Sequence, residues 1–274
     1  MSDSVAEVSR GERFEFGKNW AAFLRKLDEG RIETAVTSIE AFLETKSLDG
    51  RRVIDIGSGS GVFSLAARRL GAEVYSFDFD PDSVGCTQEL RRRYFPNDPR
   101  WTVSQGSVLD RTFLDSLGQF DIVYSWGVLH HTGQMWQALE NAAGRVAPGG
   151  QLFIAIYNDQ GGTSRRWLAV KKLYNSLPGP LRFLVTWPFA AHVWWRPVLK
   201  DFLKLRPLAS LRDYHEQRGM SPWHDVVDWV GGLPFEVASP EAIFDFYRAR
   251  GFQLEKLTTA GGSMGCNQFV FRRT

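Results

Sequence analysis

Val53-Ile54-Asp55-Ile56-Gly57-Ser58-Gly59-Ser60-Gly61 is a short, mostly apolar run that breaks into a turn with glycine at every second place. An apolar run flanked by Gly50 and Gly57 reads as a strand of a parallel sheet, buried on both faces. Glycine is needed after it because the backbone must turn tightly and let a ligand approach closely. The helix expected next, Val62–Leu70, offers free N–H groups at its N-terminus. Twenty-one residues after Gly57 comes Asp78, closing the strand expected over Glu73–Phe77. An acid at that spacing can take both hydroxyls of an adenosine ribose.

The same alternation continues outward from this unit. Pro81 to about Tyr94 reads as a helix with Asp80 as N-cap and proline in the first turn. Thr102–Ser104, Phe120–Ser125 and Gln151–Tyr157 read as strands, with a helix over Met135–Val146 between the last two. Strands alternating with helices indicate βαβ units and a parallel sheet. Upstream, Trp20, Phe23, Leu24 and Leu27 recur at helical spacing. So do Ile32, Val36, Ile39 and Phe42, and Gly30 marks the break between the two helices. Downstream, the alternation stops at Asn158 and resumes at Ser239-Pro240-Glu241, a helix start followed by strands over Phe252–Thr258 and Asn267–Arg272. The expected organisation is a helical segment over 1–50, an α/β domain over 51–159 and 239–274, and an inserted, mostly helical cap over 160–238.

Composition narrows the class. The chain has 274 residues, which at roughly 150 per domain suits one domain with an insertion. The N-terminus has no apolar signal region and no run of about 18 uncharged apolar residues occurs, so a cytoplasmic protein is expected. Two cysteines, Cys86 and Cys266, exclude a disulfide scaffold and read as reduced thiols. The net charge is only +2, but its distribution is uneven. Between Gln160 and Arg212 there are ten Lys or Arg, one acid (Asp201), and four of the ten tryptophans.

A dinucleotide enzyme would carry a small residue where this chain has Val62, which disfavours a nicotinamide oxidoreductase. The Gly57-x-Gly59-x-Gly61 turn with Asp55 before it instead resembles the first motif of class I S-adenosylmethionine-dependent methyltransferases. Phe120–His131 (FDIVYSWGVLHH) looks like that family's fourth-strand segment. Ala147–Ile154 (APGGQLFI) looks like its turn into the fifth strand. The resemblance covers about residues 50–158 and the C-terminal strand pair, and is nearest to the ubiquinone-biosynthesis-type small-molecule methyltransferases. It implies a Rossmann-like, open, mostly parallel seven-stranded sheet with an antiparallel last strand, and S-adenosyl-L-methionine as methyl donor. It also implies a donor site made from Asp55, Gly57, Ser58, Gly59, Gly61, Asp78, Phe79, Ser107, Val108 and Trp126. Many members carry an acid where this chain has Ser107; here the hydroxyl or the Val108 backbone is left to meet the adenine.

The methyl of a sulfonium is already activated, so positioning carries most of the catalysis and a base adds to it. His131 and His130 follow the fourth strand and are the candidate bases, with capping or turn packing as the structural alternative. Tyr157, Asn158 and Asn267 are the candidate acceptor contacts. Gly261, Gly262 and Gly265, near Met264, form a loop read either as a lid or as a plain hairpin. Phe14, Phe16, Lys18, Asn19 and Trp20 are candidates to close over the donor. His224–Asp225, beside Asp228, has no partners at metal-ligand spacing and reads as structural. The stretch 181–199 has two readings. It is a peripheral contact with the inner face of a membrane, or its tryptophans fill the cap's own core. Nucleic acid is the weaker alternative for the basic face. The function expected is O-methylation of a small-molecule, lipid-like or glycan acceptor with His-assisted deprotonation. The alternatives are a non-catalytic adenosyl-ligand-binding protein and a methyltransferase acting on RNA or protein.

Overall fold

The computed structural model describes Glu7, Arg10, Arg13, Phe14, Gly17, Trp20 and Leu24, then residues 27–204, 206, 209–210, 222–263 and 265–274. Phe16, Lys18, Asn19, Met264 and the side chains of His224, Asp225 and Asp228 lie outside the described residues.

The opening strand, β1 (Arg52–Ile56), has β2 (Glu73–Asp78) on one side and β4 (Phe120–Trp126) on the other. With β3 (Trp101–Gln105), β5 (Val146–Tyr157), β6 (Phe252–Thr258) and β7 (Cys266–Arg273), these make one seven-stranded sheet, ordered β3-β2-β1-β4-β5-β7-β6. The first five strands are mutually parallel and β7 runs antiparallel to both neighbours, as expected. The chain progresses outward from β1 to β3, then restarts at β4 on the other side. That reversal opens a crevice at the C-terminal ends of β1 and β4, where ligands of such sheets bind.

Both sheet faces are covered, which is why the central strands read as continuous apolar runs. On one face Ile54, Ile56, Val123, Leu152 and Phe269 pack with α5 (Met135–Ala143) and α9 (Pro240–Arg248). On the other, Val53, Val74, Ile122 and Phe153 pack with α1 (Glu29–Leu43), α2 (Val62–Arg69) and α3 (Pro81–Tyr94). Side chains cap these helices as their sequences dictate. Asp80 accepts from Asp82 N–H at the start of α3, and Ser239 from Ala242 N–H at the start of α9.

Several details differ from expectation. The break before α1 is Asp28, whose carboxylate accepts from Arg31 N–H, and Gly30 lies inside the first turn. The helix expected to run to Val146 stops at Ala143, and β5 begins at Val146 through an irregularity opposite Phe120 and Ile122. A short helix, α4 (Arg111–Leu117), was not anticipated, although Asp110 caps it by accepting from Phe113 N–H.

Past β5 the chain leaves the sheet at Asn158 and rejoins it at Ala238, where the two residues form a parallel bridge. Between them lie α6 (Gly162–Ser176), α7 (Phe183–Leu203) and α8 (Pro222–Gly231). Tyr174, Phe189, Val226 and Val230 form a small core of their own, with Trp167, Trp194 and Trp229 packed against it. Among the described residues, no helix is long and apolar enough to cross a membrane.

Candidate functional site

The turn after β1 is built from contacts that only glycine permits. Gly57, Gly59 and Gly61 all have positive φ, at 78°, 54° and 80°. A Cβ on Gly57 would lie 2.4 Å from the Val128 side chain, and one on Gly61 would lie 2.8 Å from the Thr87 backbone. The turn is tied to β2 by Gly57 N–H and Ser58 N–H, which both donate to the Phe77 carbonyl at 2.8 and 3.1 Å. The Ser58 hydroxyl is paired with Thr87 Oγ1 at 2.9 Å. Gly61→Ala is expected to cost about 2 kcal/mol from left-handed backbone strain and crowding at Thr87. That corresponds to a fall of about 5 °C in the thermal unfolding midpoint; an unchanged midpoint would contradict the geometry.

Asp78 closes the turn. One carboxylate oxygen accepts from Gly59 N–H at 2.9 Å and the other from Asp80 N–H at 2.9 Å. Each oxygen keeps a further lone pair for a ligand hydroxyl. Burial pushes its pKa up to about 6, against the lowering effect of the two backbone donors. Phe79 follows it, half-buried, under the guanidinium of Arg13 at 4.8 Å.

Asp55 is placed differently. It lies under the turn with its carboxylate turned toward α2, where it accepts from the Ser64 hydroxyl. Ser76 donates to Ser64 at 2.7 Å and the Trp101 indole N–H donates to Ser76 at 2.9 Å. Burial raises the Asp55 pKa to about 7, and the charge of Asp78 adds to the rise. The carboxyl shares a small internal cavity with Tyr124, whose buried hydroxyl has no hydrogen-bond partner.

At the β3 end, Val108 buries its side chain in the core and its carbonyl accepts from Asn141 at 2.8 Å. The Ser107 hydroxyl accepts from Leu109 N–H at 3.1 Å, so it also caps its own turn. Trp126 is the last residue of β4, at the mouth of the crevice. Its indole N–H donates to Gln268 Oε1 at 3.1 Å, which holds the ring toward β7 and away from Ser107 and Val108.

His130 and His131 form a single 3-10 turn after β4. Both rings are buried, against each other and against Tyr157, with centroids 3.9 Å (His130) and 5.3 Å (His131) from the tyrosine ring. His131 Nδ1 lies 2.6 Å from the Pro234 carbonyl, a geometry that requires the proton on Nδ1 and leaves Nε2 as the basic nitrogen. Burial drives the His131 pKa down to about 3 and that of His130 well below its ordinary value. Lys171 reinforces both shifts from the buried side of α6. Its ammonium donates to the Trp229 carbonyl and lies over the Trp229 and Phe235 rings at 5.1 and 4.9 Å.

Asn158 and Asn267 are joined, Asn267 Nδ2 donating to Asn158 Oδ1 at 3.0 Å. Asn267 Oδ1 accepts from Ala260 N–H, and Asn158 N–H donates to the Gly265 carbonyl, at 2.9 Å each. The pair therefore fastens the β6–β7 loop to the end of β5. Cys86 and Cys266 are both pushed up by burial, to about 11 and about 12, so neither is set up as a nucleophile near neutral pH.

The N-terminal residues bridge the turn and the cap. Gly17 N–H donates to Asp80 at 2.8 Å, and the Trp20 ring lies against Gly59. Phe14 N–H donates to the Leu233 carbonyl, and Arg13 donates to the His131 carbonyl, both at 3.1 Å. Arg13 and Lys171 carry no sequence signal, because a lone cation in a polar segment or basic stretch reads as solvated.

A family described as a methyltransferase domain matches residues 27–224, well over half of the chain. The chain belongs to the methyltransferase domain family. Its sheet is that of the class I S-adenosylmethionine-dependent methyltransferases. Among relatives, it is 34% identical over 119 residues to a tRNA U34 carboxymethyltransferase of Methylococcus capsulatus, covering 43% of this chain and 36% of the relative. It is 30% identical over 164 residues to a mitochondrial ubiquinone biosynthesis O-methyltransferase of Schizosaccharomyces pombe, covering 56% of each. The chain thus spans about half or less of the length of these curated relatives. Among solved structures, the magnesium protoporphyrin IX methyltransferase of Synechocystis with bound S-adenosylhomocysteine superposes with a TM-score of 0.53 at 14% identity. That match covers 91% of this chain and 86% of the other, and at that identity it speaks for the fold.

Proposed function

We propose that this methyltransferase moves a methyl group from S-adenosyl-L-methionine to an oxygen of a small-molecule acceptor of lipid-like or glycan character. The observation that carries the reading is the Gly57–Gly61 turn closed by Asp78. It is a cradle with no room for Cβ atoms, with a carboxylate at its rim that keeps acceptor capacity. Asp78 would hold the ribose hydroxyls, Gly57, Ser58, Gly59 and Gly61 would follow the donor's backbone, and Phe79, Ser107 and Val108 would flank its adenine. Asp55 would act from below, by holding α2 and the turn in place. The donor supplies a methyl group already activated on a sulfonium. The chain's own task is to exclude water, align the acceptor and accept its proton.

Tyr157 and the Asn158–Asn267 pair would meet the acceptor, Trp126 at the end of β4 would wall the donor's side of the crevice, and the inserted segment would cover it. His131 is the proton acceptor in this reading, because its Nδ1–H is committed to Pro234 and its neutral form is held by burial. His131→Gln is expected to lower kcat about 100-fold, the small end of the usual range because a conjugate acid near 3 is a weak base. The dissociation constant for S-adenosylhomocysteine should stay within about twofold. An unchanged kcat would leave positioning alone as the catalytic device. We place the protein on the inner face of a membrane as a peripheral component, attached through the cap. Titration calorimetry with S-adenosylhomocysteine tests the donor site; failure to bind would overturn the reading.

A further inference from the structure

The long cap helix α7 is amphipathic in the inverted sense. Its inner side, with Thr186, Phe189 and Asp201, is buried against the rest of the cap. Its outer side carries Leu184, Trp187, Trp195, Leu199 and Phe202, all at least half exposed. Their spacing of three, eight, four and three residues puts them on one face of a helix. Trp223 of α8 extends that face, its ring 5.9 Å from that of Trp187. Five large apolar side chains facing outward in one stripe, two of them tryptophan, call for a partner.

The charges around the stripe identify it. Arg196 is exposed at the edge of the stripe, next round the helix from Leu199; Lys200 and Lys204 are exposed further round the C-terminal half of α7, and Arg165, Arg166 and Lys172 are exposed on α6. The one acid of α7, Asp201, is turned inward, where it accepts from the Ser210 backbone N–H at 2.6 Å and the Ser210 hydroxyl at 2.8 Å. Among the described residues the exposed charges of α6 and α7 are cationic, so a second copy of this chain would bring like charges together. An anionic lipid surface satisfies both the apolar stripe and the cations. We infer that α7 lies flat in the interface of an anionic bilayer, with Leu184, Trp187, Trp195, Leu199 and Phe202 among the acyl chains and Arg196, Lys200 and Lys204 at the headgroups.

The inner side of the same helix leads to the candidate site. Phe189 packs on Trp167, with ring centroids 5.0 Å apart. Trp167 packs on Trp229 at 5.9 Å, and Trp229 stacks on Tyr157 at 5.6 Å. A column of aromatic rings therefore runs from the lipid-facing helix to the residue that contacts both histidines. Docking on α7 would hold the acceptor side of the crevice toward the bilayer. This inference deepens the peripheral placement proposed above, and vesicle binding is measured without donor or acceptor, so it stands or falls separately from methyl transfer.

The test is co-sedimentation of the full chain with phosphatidylcholine vesicles, with and without phosphatidylglycerol. The expected result is binding that requires phosphatidylglycerol and weakens with added salt. Each basic residue near the surface changes partitioning about fivefold, so Arg196→Gln with Lys200→Gln should weaken binding about 25-fold. Trp187→Ser with Trp195→Ser should abolish it while leaving the melting temperature and S-adenosylhomocysteine binding unchanged, since both rings are exposed. No binding at low salt, or equal binding to both vesicle types, would overturn the inference. So would a lipid-free dimer, seen by light scattering, that the double tryptophan variant dissociates.

Discussion

Asp78→Ala is expected to weaken S-adenosylmethionine and S-adenosylhomocysteine binding by about 10²–10³-fold. A hydrogen bond to a charged group contributes about 1.5–3 kcal/mol, and a ribose diol offers two. Their sum would exceed a hundredfold at about 1.4 kcal/mol per factor of ten. The lower part of the range is expected because Asp78 already shares its oxygens with Gly59 and Asp80. The same contacts give the variant a second signature. The wild-type carboxyl has a pKa near 6, so protonation on going from neutral to more acid solution removes its charge. Donor affinity should therefore fall as pH drops through about 6 in the wild type and stay flat in the alanine variant. Titration calorimetry from about pH 5 to pH 8 reads both effects. A variant that binds within threefold of the wild type would remove Asp78 from the site.

The β1 turn was legible because three independent constraints coincide there: a doubly buried strand, glycines at positive φ, and an acid at the next strand end. The caps at Asp80-Pro81 and Ser239-Pro240 were legible for the same kind of reason, since each is a local hydrogen bond specified by adjacent residues. The cap was harder. Pro188 and Pro197 both lie inside α7, where proline ordinarily ends or kinks a helix. A proline removes one ladder bond, and the packing of Phe189, Trp194 and Val193 against α8 outweighs that loss. The tryptophans also split two ways, which composition could not show. Trp167, Trp194 and Trp229 pack into the cap, while Trp187 and Trp195 face solvent. Within the site, spacing located Asp55 but not its direction. Alternation along β1 puts it on the face of Val53, toward α2, where its carboxylate accepts from Ser64. Trp126 obeys the same rule, sharing a face with Tyr124 and reaching Gln268 across β5. The histidines illustrate a further limit. Their place after β4 was readable, but their burial depends on Pro234 and Lys171, which are distant in sequence.

Asp55→Asn is expected to stabilise the protein at alkaline pH, although Asp55 belongs to the glycine motif. In the folded chain its pKa is about 7, against an ordinary value of 3.8. The folded state therefore holds the proton more tightly than the unfolded state does. Between these two values the folded state binds more protons, so the stability contributed by this group falls as pH rises from about 4 to about 7. Above 7 the carboxylate is ionised in both states, and the cost of burying its charge is fully expressed. At 1.36 kcal/mol per pKa unit the cost is on the order of 2–4 kcal/mol after allowance for local relaxation. Asparagine keeps the shape and still accepts from Ser64, and its amide adds a donor beside the unpartnered Tyr124 hydroxyl. Urea unfolding of the two proteins at pH 8 and pH 5 should show the variant more stable at pH 8, with the difference shrinking as pH falls. A variant less stable at pH 8 would mean that the ionised carboxylate is satisfied in the fold, and that Asp55 reaches the donor rather than supporting it from below. The expected gain has a functional reading. A buried acid maintained at a cost to stability, under the turn proposed to hold the donor's cationic sulfonium, would be stabilised in its ionised form when that positive charge is bound above it. Ligand binding should therefore lower the Asp55 pKa and narrow the stability gap between the two proteins at pH 8.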